Sequence, residues 1–217
     1  MDIILVPGFM LDADMWSEVR PSLEAMGRVV DADTSRDATV EQMAHRALSM
    51  SSGPLAVVGF SMGGYVARAM AYEAPERVCA LALIGSSSRG QPAPPPSEIT
   101  NRFGSLSVKA VSRSLHPDHA TPDLIDRVRA MSARLGHEVF QPQSRMERFD
   151  DTDRLGEISC PTIVMAALED KLRSIDESRV LQEKIRRSTL TIVEHCGHLI
   201  PMEQPAEVVN AIRQLIR

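Results

Sequence analysis

The sequence predicts an α/β fold: a mostly parallel sheet of about six strands, flanked by helices, with a small helical insertion. Short runs rich in Val, Ile and Leu recur along the chain, and they are continuous rather than alternating, which is typical of strands buried on both faces of a parallel sheet. Helical patterns lie between most of these runs. One stretch of about seventy residues carries no strand pattern and predicts the insertion.

The strand patterns are the apolar runs bounded by turn residues; they lie at Ile3–Val6, Arg28–Asp31, Leu55–Val58, Val78–Ile84, Thr162–Ala166 and Thr189–Val193. The helical patterns lie at about 14–26, 38–50, 62–74, 174–187 and 204–216. Strands that alternate with helices predict right-handed crossovers and helices on both faces of the sheet.

The inserted segment divides the chain into a core of residues 1–85 and 158–217 and a helical cap, or lid, of residues 86–157. It opens with "GSSSRGQPAPPPS", whose proline cluster at 94–96 predicts a stiff, extended connector. Helix-like patterns follow near Glu98–Leu115 and Pro122–Leu135. We expect this segment to lie over one edge of the sheet.

Composition limits the function classes. The 217 residues carry a formal net charge of −5, so we expect no nucleic acid partner and no association with anionic membranes. No apolar run approaches the ~18 residues that cross a bilayer. Three cysteines do not suggest a disulfide framework, and together with an N-terminus that reads as a strand rather than a signal peptide they predict a cytoplasmic protein. The composition leaves monomer and homodimer open.

A serine motif lies at the end of the third strand pattern. Gly59-Phe60-Ser61-Met62-Gly63 matches G-x-S-x-G, with a buried strand before it and a helix after it. Glycines two residues on either side of the serine allow a strand and a helix to approach closely, which lifts the hydroxyl out of the sheet. The alternative is a plain strand-to-helix turn. The context favours Ser61 as a nucleophile.

A serine nucleophile needs a base. Four of the six histidines are expected to be solvated surface residues: His45, His116, His119 and His137. His195 and His198 follow the last strand pattern, and His198 lies in a loop at the strand's carboxyl end, where open parallel sheets place their sites. We therefore predict His198 as the base and a structural role for His195.

The base needs an anionic partner that fixes its tautomer. The first acidic residues beyond the fifth strand pattern are Glu169 and Asp170, with Asp176 further on. Asp170 is the prediction because its loop neighbours the loop of His198, and Glu169 is the alternative. The chain order Ser, Asp, His is that of one hydrolase architecture.

The developing oxyanion needs two backbone donors. The amide of Met62 lies at a helix N-terminus, and the loop after the first strand offers the amide of Phe9, since Gly8 allows a sharp turn before it. The alternative for that loop is a simple connection. Phe9, Met10 and Met62 also suggest an apolar wall near the site, with Met10 as a pocket residue.

Four stretches resemble the α/β-hydrolase superfamily over nearly the whole chain. "LVPGF" resembles its oxyanion loop, "GFSMGG" its nucleophile elbow, "ISCPTIVMAALED" its acid loop and "VEHCGHLIPMEQP" its histidine loop with a downstream Glu-x-Pro. The sequence departs from the family in three ways: it lacks the first two strands, it has Pro7 where many members have histidine, and "AALED" lacks the usual glycine.

The resemblance implies a Ser61, Asp170 and His198 triad with an oxyanion hole formed by the Phe9 and Met62 amides. It implies a serine hydrolase that cleaves a small carboxylic ester through an acyl-enzyme, with no metal and no cofactor. The same triad serves lactonases, carbon-carbon bond hydrolases, amidases and cofactor-free perhydrolases. A ligand-binding protein with a vestigial site is the alternative from another class.

Overall fold

The computed structural model describes residues 1–95 and 102–216. Its centre is one six-stranded sheet in the order β2-β1-β3-β4-β5-β6, with every neighbouring pair parallel. The strands are β1 (Asp2–Val6), β2 (Val29–Asp31), β3 (Leu55–Phe60), β4 (Val78–Ile84), β5 (Thr162–Ala167) and β6 (Ser188–Val193). The predicted fold class, including the number of strands, is confirmed.

The helices are α1 (Arg20–Glu24), α2 (Val40–Ser49), α3 (Met62–Glu73), α4 (Val108–Ser114), α5 (Pro122–Arg145), α6 (Ile175–Lys184), α7 (Ile200–Glu203) and α8 (Pro205–Leu215). Within the described residues, two short 3-10 helices lie at Ala13–Trp16 and Leu155–Glu157. Every helix in the described ranges is too short or too polar to span a bilayer.

The helices near Pro21 and Pro205 differ from the sequence prediction. The single helix expected over 14–26 is wrong: a 3-10 turn and α1 take its place, and Pro21 lies in the first turn of α1, where its missing N–H costs nothing. Before α8 the chain adds the short helix α7, and Gln204 separates the two with φ −134° and ψ 59°. A residue that precedes proline, here Pro205, disfavours the helical region, which explains the break.

Successive residues of β1 serve opposite faces of the sheet. Ile3 and Leu5 pack in one apolar cluster with α1 and α8, whereas Ile4 and Val6 pack in the other with α2, α3 and α6. This alternation follows from the period of two in a β-strand, and both faces are buried because helices cover each of them. The continuous apolar runs in the sequence are the result.

The inserted segment connects β4 to β5 and carries α4 and α5. The helix predicted near Glu98–Leu115 is wrong over 102–107, since α4 begins only at Val108 after the capping side chain of Ser107. Residues 98–101 of that pattern, and the last proline of the 94–96 cluster, lie outside the described residues. Helix α5 kinks at Gly136, whose φ of 68° favours glycine.

A buried ion pair fastens the end of the inserted segment to α3. The guanidinium of Arg68 is fully buried and binds Asp151 through two hydrogen bonds, of 2.6 Å and 2.9 Å. The Tyr72 hydroxyl donates to the same carboxylate over 2.9 Å. Burial and the Asp151 charge raise the pKa of Tyr72, so its hydroxyl keeps its proton and remains a donor.

We predict that Asp151→Ala destabilises the protein by about 3 kcal/mol, because it leaves the Arg68 charge buried without an anionic partner. Asp153→Ala is the matched control: its carboxylate is fully exposed, and its contact with Lys184 spans 3.6 Å. We expect the control to stay within about 0.5 kcal/mol of wild type. Urea denaturation followed by circular dichroism measures both, and equal midpoints for the two variants would contradict the assignment.

Candidate active site

Ser61 lies between the end of β3 and the first residue of α3, with φ 51° and ψ −111°. The left-handed φ is strained for a residue with a side chain. Neighbouring glycines permit the turn: a Cβ at Gly59 would collide with the Gly63 carbonyl, and a Cβ at Gly63 with the Val6 carbonyl. The serine hydroxyl therefore stands at the carboxyl edge of the sheet.

His198 lies between Ser61 and Asp170. Its Nε2 is 3.0 Å from the Ser61 Oγ, and its Nδ1 is 2.7 Å from an oxygen of Asp170. The His198 side chain is 7% exposed and that of Asp170 is 2% exposed, so the hydrogen bond between these two residues is shielded from water. The ring of Phe60 packs against the imidazole with centroids 5.0 Å apart.

The structure distinguishes the two acidic candidates by their partners. The second oxygen of Asp170 accepts the amides of Leu172 and Arg173 at 2.7 Å and 3.0 Å, which orients the first oxygen towards His198. Glu169 points elsewhere and accepts the Cys196 amide at 3.1 Å. Asp170 therefore contacts the imidazole, and Glu169 joins the acid loop to the histidine loop.

Glu203 holds the loop around His198 in place, a role that the sequence did not predict. Its buried carboxylate accepts the amides of Gly197, Leu199 and His116 at 3.0, 2.9 and 2.7 Å. Two of these donors flank His198, and the third belongs to the inserted segment. The Glu-x-Pro pattern in the sequence was the available signal, because a buried carboxylate must find several donors.

Three of the four histidines expected on the surface are partly buried, so that expectation is wrong for them: His116, His119 and His137. The Nδ1 of His119 is 3.4 Å from Glu203, and the His116 ring packs against those of His119 and His195. His45 alone of the four is largely exposed, at 79%. His195 lies beyond β6 rather than at its end, with φ 50°.

A side chain of the inserted segment binds the loop after β1 and holds it in place. Gln143 of α5, which is 1% exposed, accepts the Met10 amide at 2.9 Å and donates to the Thr34 carbonyl at 3.2 Å. Met10 has φ 54°, so this hydrogen bond fixes a strained turn next to Phe9. The Phe9 amide makes no hydrogen bond to another described residue.

A cavity of about 460 Å³ opens beside Ser61 and His198. Phe9 lines it together with apolar side chains of α4 and α5, including Val111 and Val128. Met10 does not line it as the sequence suggested, because its side chain is fully buried in the core; Leu11 takes that position. The Met62 side chain is also buried in the core, so this residue offers the site only its backbone amide.

The thiol of Cys196 is buried beside the histidine loop. Burial, and the nearby carboxylates of Glu203, Asp170 and Glu169, raise the pKa of Cys196, so the thiol stays protonated and is a poor nucleophile or metal ligand. All three cysteines are unpaired. Among the described residues, no group of His, Cys, Asp and Glu side chains is arranged to hold a metal ion.

The chain is similar in sequence to members of a known protein family. The sequence model of the alpha/beta hydrolase family matches residues 3–211. Monoacylglycerol lipase ABHD6 of Bos taurus is 23% identical, over 97% of this chain and 73% of its own. A 2-hydroxy-6-oxononadienedioate/2-hydroxy-6-oxononatrienedioate hydrolase of Paraburkholderia xenovorans is 29% identical, over 71% of this chain and 58% of its own.

Solved structures share the fold. A thermophilic esterase from Thermogutta terrifontis, with malate bound, superimposes with a TM-score of 0.82 and 28% identity, over 99% of this chain and 88% of its own. The enol-lactonase of Burkholderia xenovorans gives a TM-score of 0.81 at 18% identity, over 99% and 90%.

We predict that Glu203→Gln lowers the free energy of unfolding by about 1–3 kcal/mol. The amide NH₂ of glutamine would face a buried backbone N–H and leave that donor unsatisfied. Glu194→Gln, at an exposed position of the same loop, makes the same change in charge and should stay within about 0.5 kcal/mol of wild type. Urea unfolding curves compare the three proteins, and a wild-type midpoint for Glu203→Gln would refute the role of Glu203.

Proposed function

Since the chain belongs to the alpha/beta hydrolase family, we propose that it is a serine hydrolase that cleaves a small carboxylic ester. One observation carries the proposal: the continuous hydrogen-bond chain from the Ser61 Oγ through His198 to Asp170. This family includes enzymes that act on small molecules, and a 28% identical structural relative is named as an esterase.

His198 is the general base. The Asp170 carboxylate only accepts hydrogen bonds, so it assigns the ring proton to Nδ1 and leaves the Nε2 lone pair facing the Ser61 hydroxyl. As the Ser61 Oγ attacks the ester carbonyl, its proton passes to Nε2. The imidazolium that forms lies against the Asp170 carboxylate, which stabilises its charge.

The amides of Phe9 and Met62 form the oxyanion hole. Met62 is the first residue of α3, so its N–H has no partner within the helix and lies at the positive end of the helix dipole. The Phe9 amide, at the edge of the same cavity, supplies the second donor. Each donor of this kind contributes about 100- to 1,000-fold in rate.

The reaction then proceeds in two halves. The tetrahedral intermediate collapses, the ester C–O bond breaks, and His198 returns its proton to the departing alcohol. Water next gives a proton to His198 and attacks the acyl-Ser61 carbonyl. Collapse of the second intermediate releases the carboxylic acid and restores the Ser61 hydroxyl, so no cofactor enters the cycle.

The inserted segment, residues 86–157, is the cap of this site. Helices α4 and α5 supply part of the cavity wall. The His198 amide donates to the Ser114 carbonyl at 2.6 Å, and a Cβ at Gly197 would collide with the backbone at Leu115. The cap is therefore docked on the loop that carries the base.

A carbon-carbon bond hydrolase on the same triad is the second candidate. The 29% identical Paraburkholderia relative, whose name gives a dienedioate and a trienedioate as substrates, favours it.

The unpaired cysteines suit a reducing compartment, and we place the protein in the cytoplasm.

We predict that Ser61→Ala lowers ester turnover by about a million-fold and abolishes labelling by a fluorophosphonate. Removing the hydroxyl removes the attacking atom, while the cavity is unchanged. Ser52→Ala, at an exposed loop position, is the control and should label like wild type. Intact mass spectrometry reads the adduct; a full adduct on Ser61→Ala would assign the nucleophile to another residue.

We predict that Asp170→Asn lowers kcat by about ten-thousand-fold, because an amide favours the wrong tautomer of His198. Glu169→Gln keeps the Asp170–His198 contact and should cost less than about tenfold. Steady-state kinetics on a 4-nitrophenyl ester separates the two. The reverse order of effects would make Glu169 the acid.

A further inference from the structure

We propose that the substrate of this site carries a carboxylate at the end of an apolar acyl chain, and that Lys109 and Arg113 of α4 bind that carboxylate. The inference rests on the proposed function, because it names the substrate class of the same cavity.

Most of the cavity wall is hydrocarbon. The apolar lining residues are Phe9, Leu11, Phe60, Leu106, Ala110, Val111, Val128, Leu172 and Leu199. A wall of this kind favours a methylene chain, since burying such a chain removes apolar surface from water. The volume of about 460 Å³ suits a small molecule.

Charge is confined to one part of the lining. Apart from His198, the charged lining residues are Lys109 and Arg113, and no Asp or Glu of the described residues lines the cavity. The two cations lie four residues apart on α4, so they share one face of that helix. The site therefore combines an apolar wall with a positive end.

Lys109 and Arg113 form no ion pair that would stabilise the described part of the fold. Within residues 1–95 and 102–216, neither Lys109 nor Arg113 has an ion pair or hydrogen-bonded side-chain partner. Two arginines of the neighbouring helix α5 differ, since Arg127 binds Asp14 and Arg134 binds Asp12. In a chain with 29 acidic and 24 basic residues, two such cations at one cavity are a local excess of positive charge.

The helix that carries the two cations is anchored to the loop of His198. The carbonyl of Ser114, the residue after Arg113, accepts the His198 amide at 2.6 Å. The end of α4 is thus tied to the loop that carries His198, so Lys109 and Arg113 stand on a helix whose backbone is anchored beside that loop. A planar guanidinium and an ammonium both bind carboxylate strongly, and the guanidinium binds it through two hydrogen bonds.

A matched pair of esters tests this. Both 4-nitrophenyl octanoate and the mono-4-nitrophenyl ester of suberic acid carry an eight-carbon acyl chain, which ends in methyl in the first and in carboxylate in the second. We measure kcat/KM for both and take the ratio, which cancels general losses in folding or catalysis. We expect wild type to favour the suberate ester by about tenfold or more.

The Lys109→Gln/Arg113→Gln double variant should lower that ratio by about tenfold or more, because it removes both charges. Arg186→Gln, at an exposed position beyond α6, is the control and should leave the ratio unchanged. Raising the salt concentration should lower the wild-type ratio, since exposed charges are screened.

The outcomes separate the two levels of the proposal. A wild-type ratio at or below one, or an unchanged ratio in the double variant, overturns the carboxylate subsite and leaves the esterase standing. Hydrolysis of neither ester, together with no phosphonate adduct on Ser61, overturns the proposed function and the subsite with it.

Discussion

The strained backbone at Ser61 is the constraint on which the rest of the site depends. A φ of 51° in a non-glycine residue costs about 1–3 kcal/mol, and it persists only where the surroundings enforce it. Here β3 and α3 enforce it, because Gly59 lets β3 approach α3 and Gly63 lets α3 approach the end of β1. The hydroxyl stands at the carboxyl edge of the sheet as a result. The loops that carry His198 and Asp170 lie at the same edge.

Two carboxylates other than that of Asp170 hold those loops. Glu169 links the acid loop to Cys196, and Glu203 gathers the amides around His198 together with one amide of the inserted segment. Because α4 is docked on the same loop, the cavity wall and His198 form one connected unit. The proposed carboxylate subsite on α4 would set the position of the substrate relative to His198 through that connection.

The sequence predicted the sheet, and it singled out Ser61, His198 and Asp170, which the structure joins by hydrogen bonds, because the signals for both are local. Continuous apolar runs mark buried parallel strands, and a serine between glycines after such a run marks the turn at Ser61. The roles of Glu203 and Gln143 were not predicted, since their partners lie up to 133 residues away in sequence. Met10 was misplaced for the same reason: its burial depends on packing across the fold. A single helix over 14–26 failed because Pro21 favours a new helix start.

A crystal structure of the protein after reaction with a fluorophosphonate tests the central claim most directly. The account predicts a bond between phosphorus and the Ser61 Oγ, with a phosphonyl oxygen about 2.7–3.1 Å from the amides of both Phe9 and Met62. Phosphorus on another residue, or a phosphonyl oxygen turned away from both amides, would contradict it.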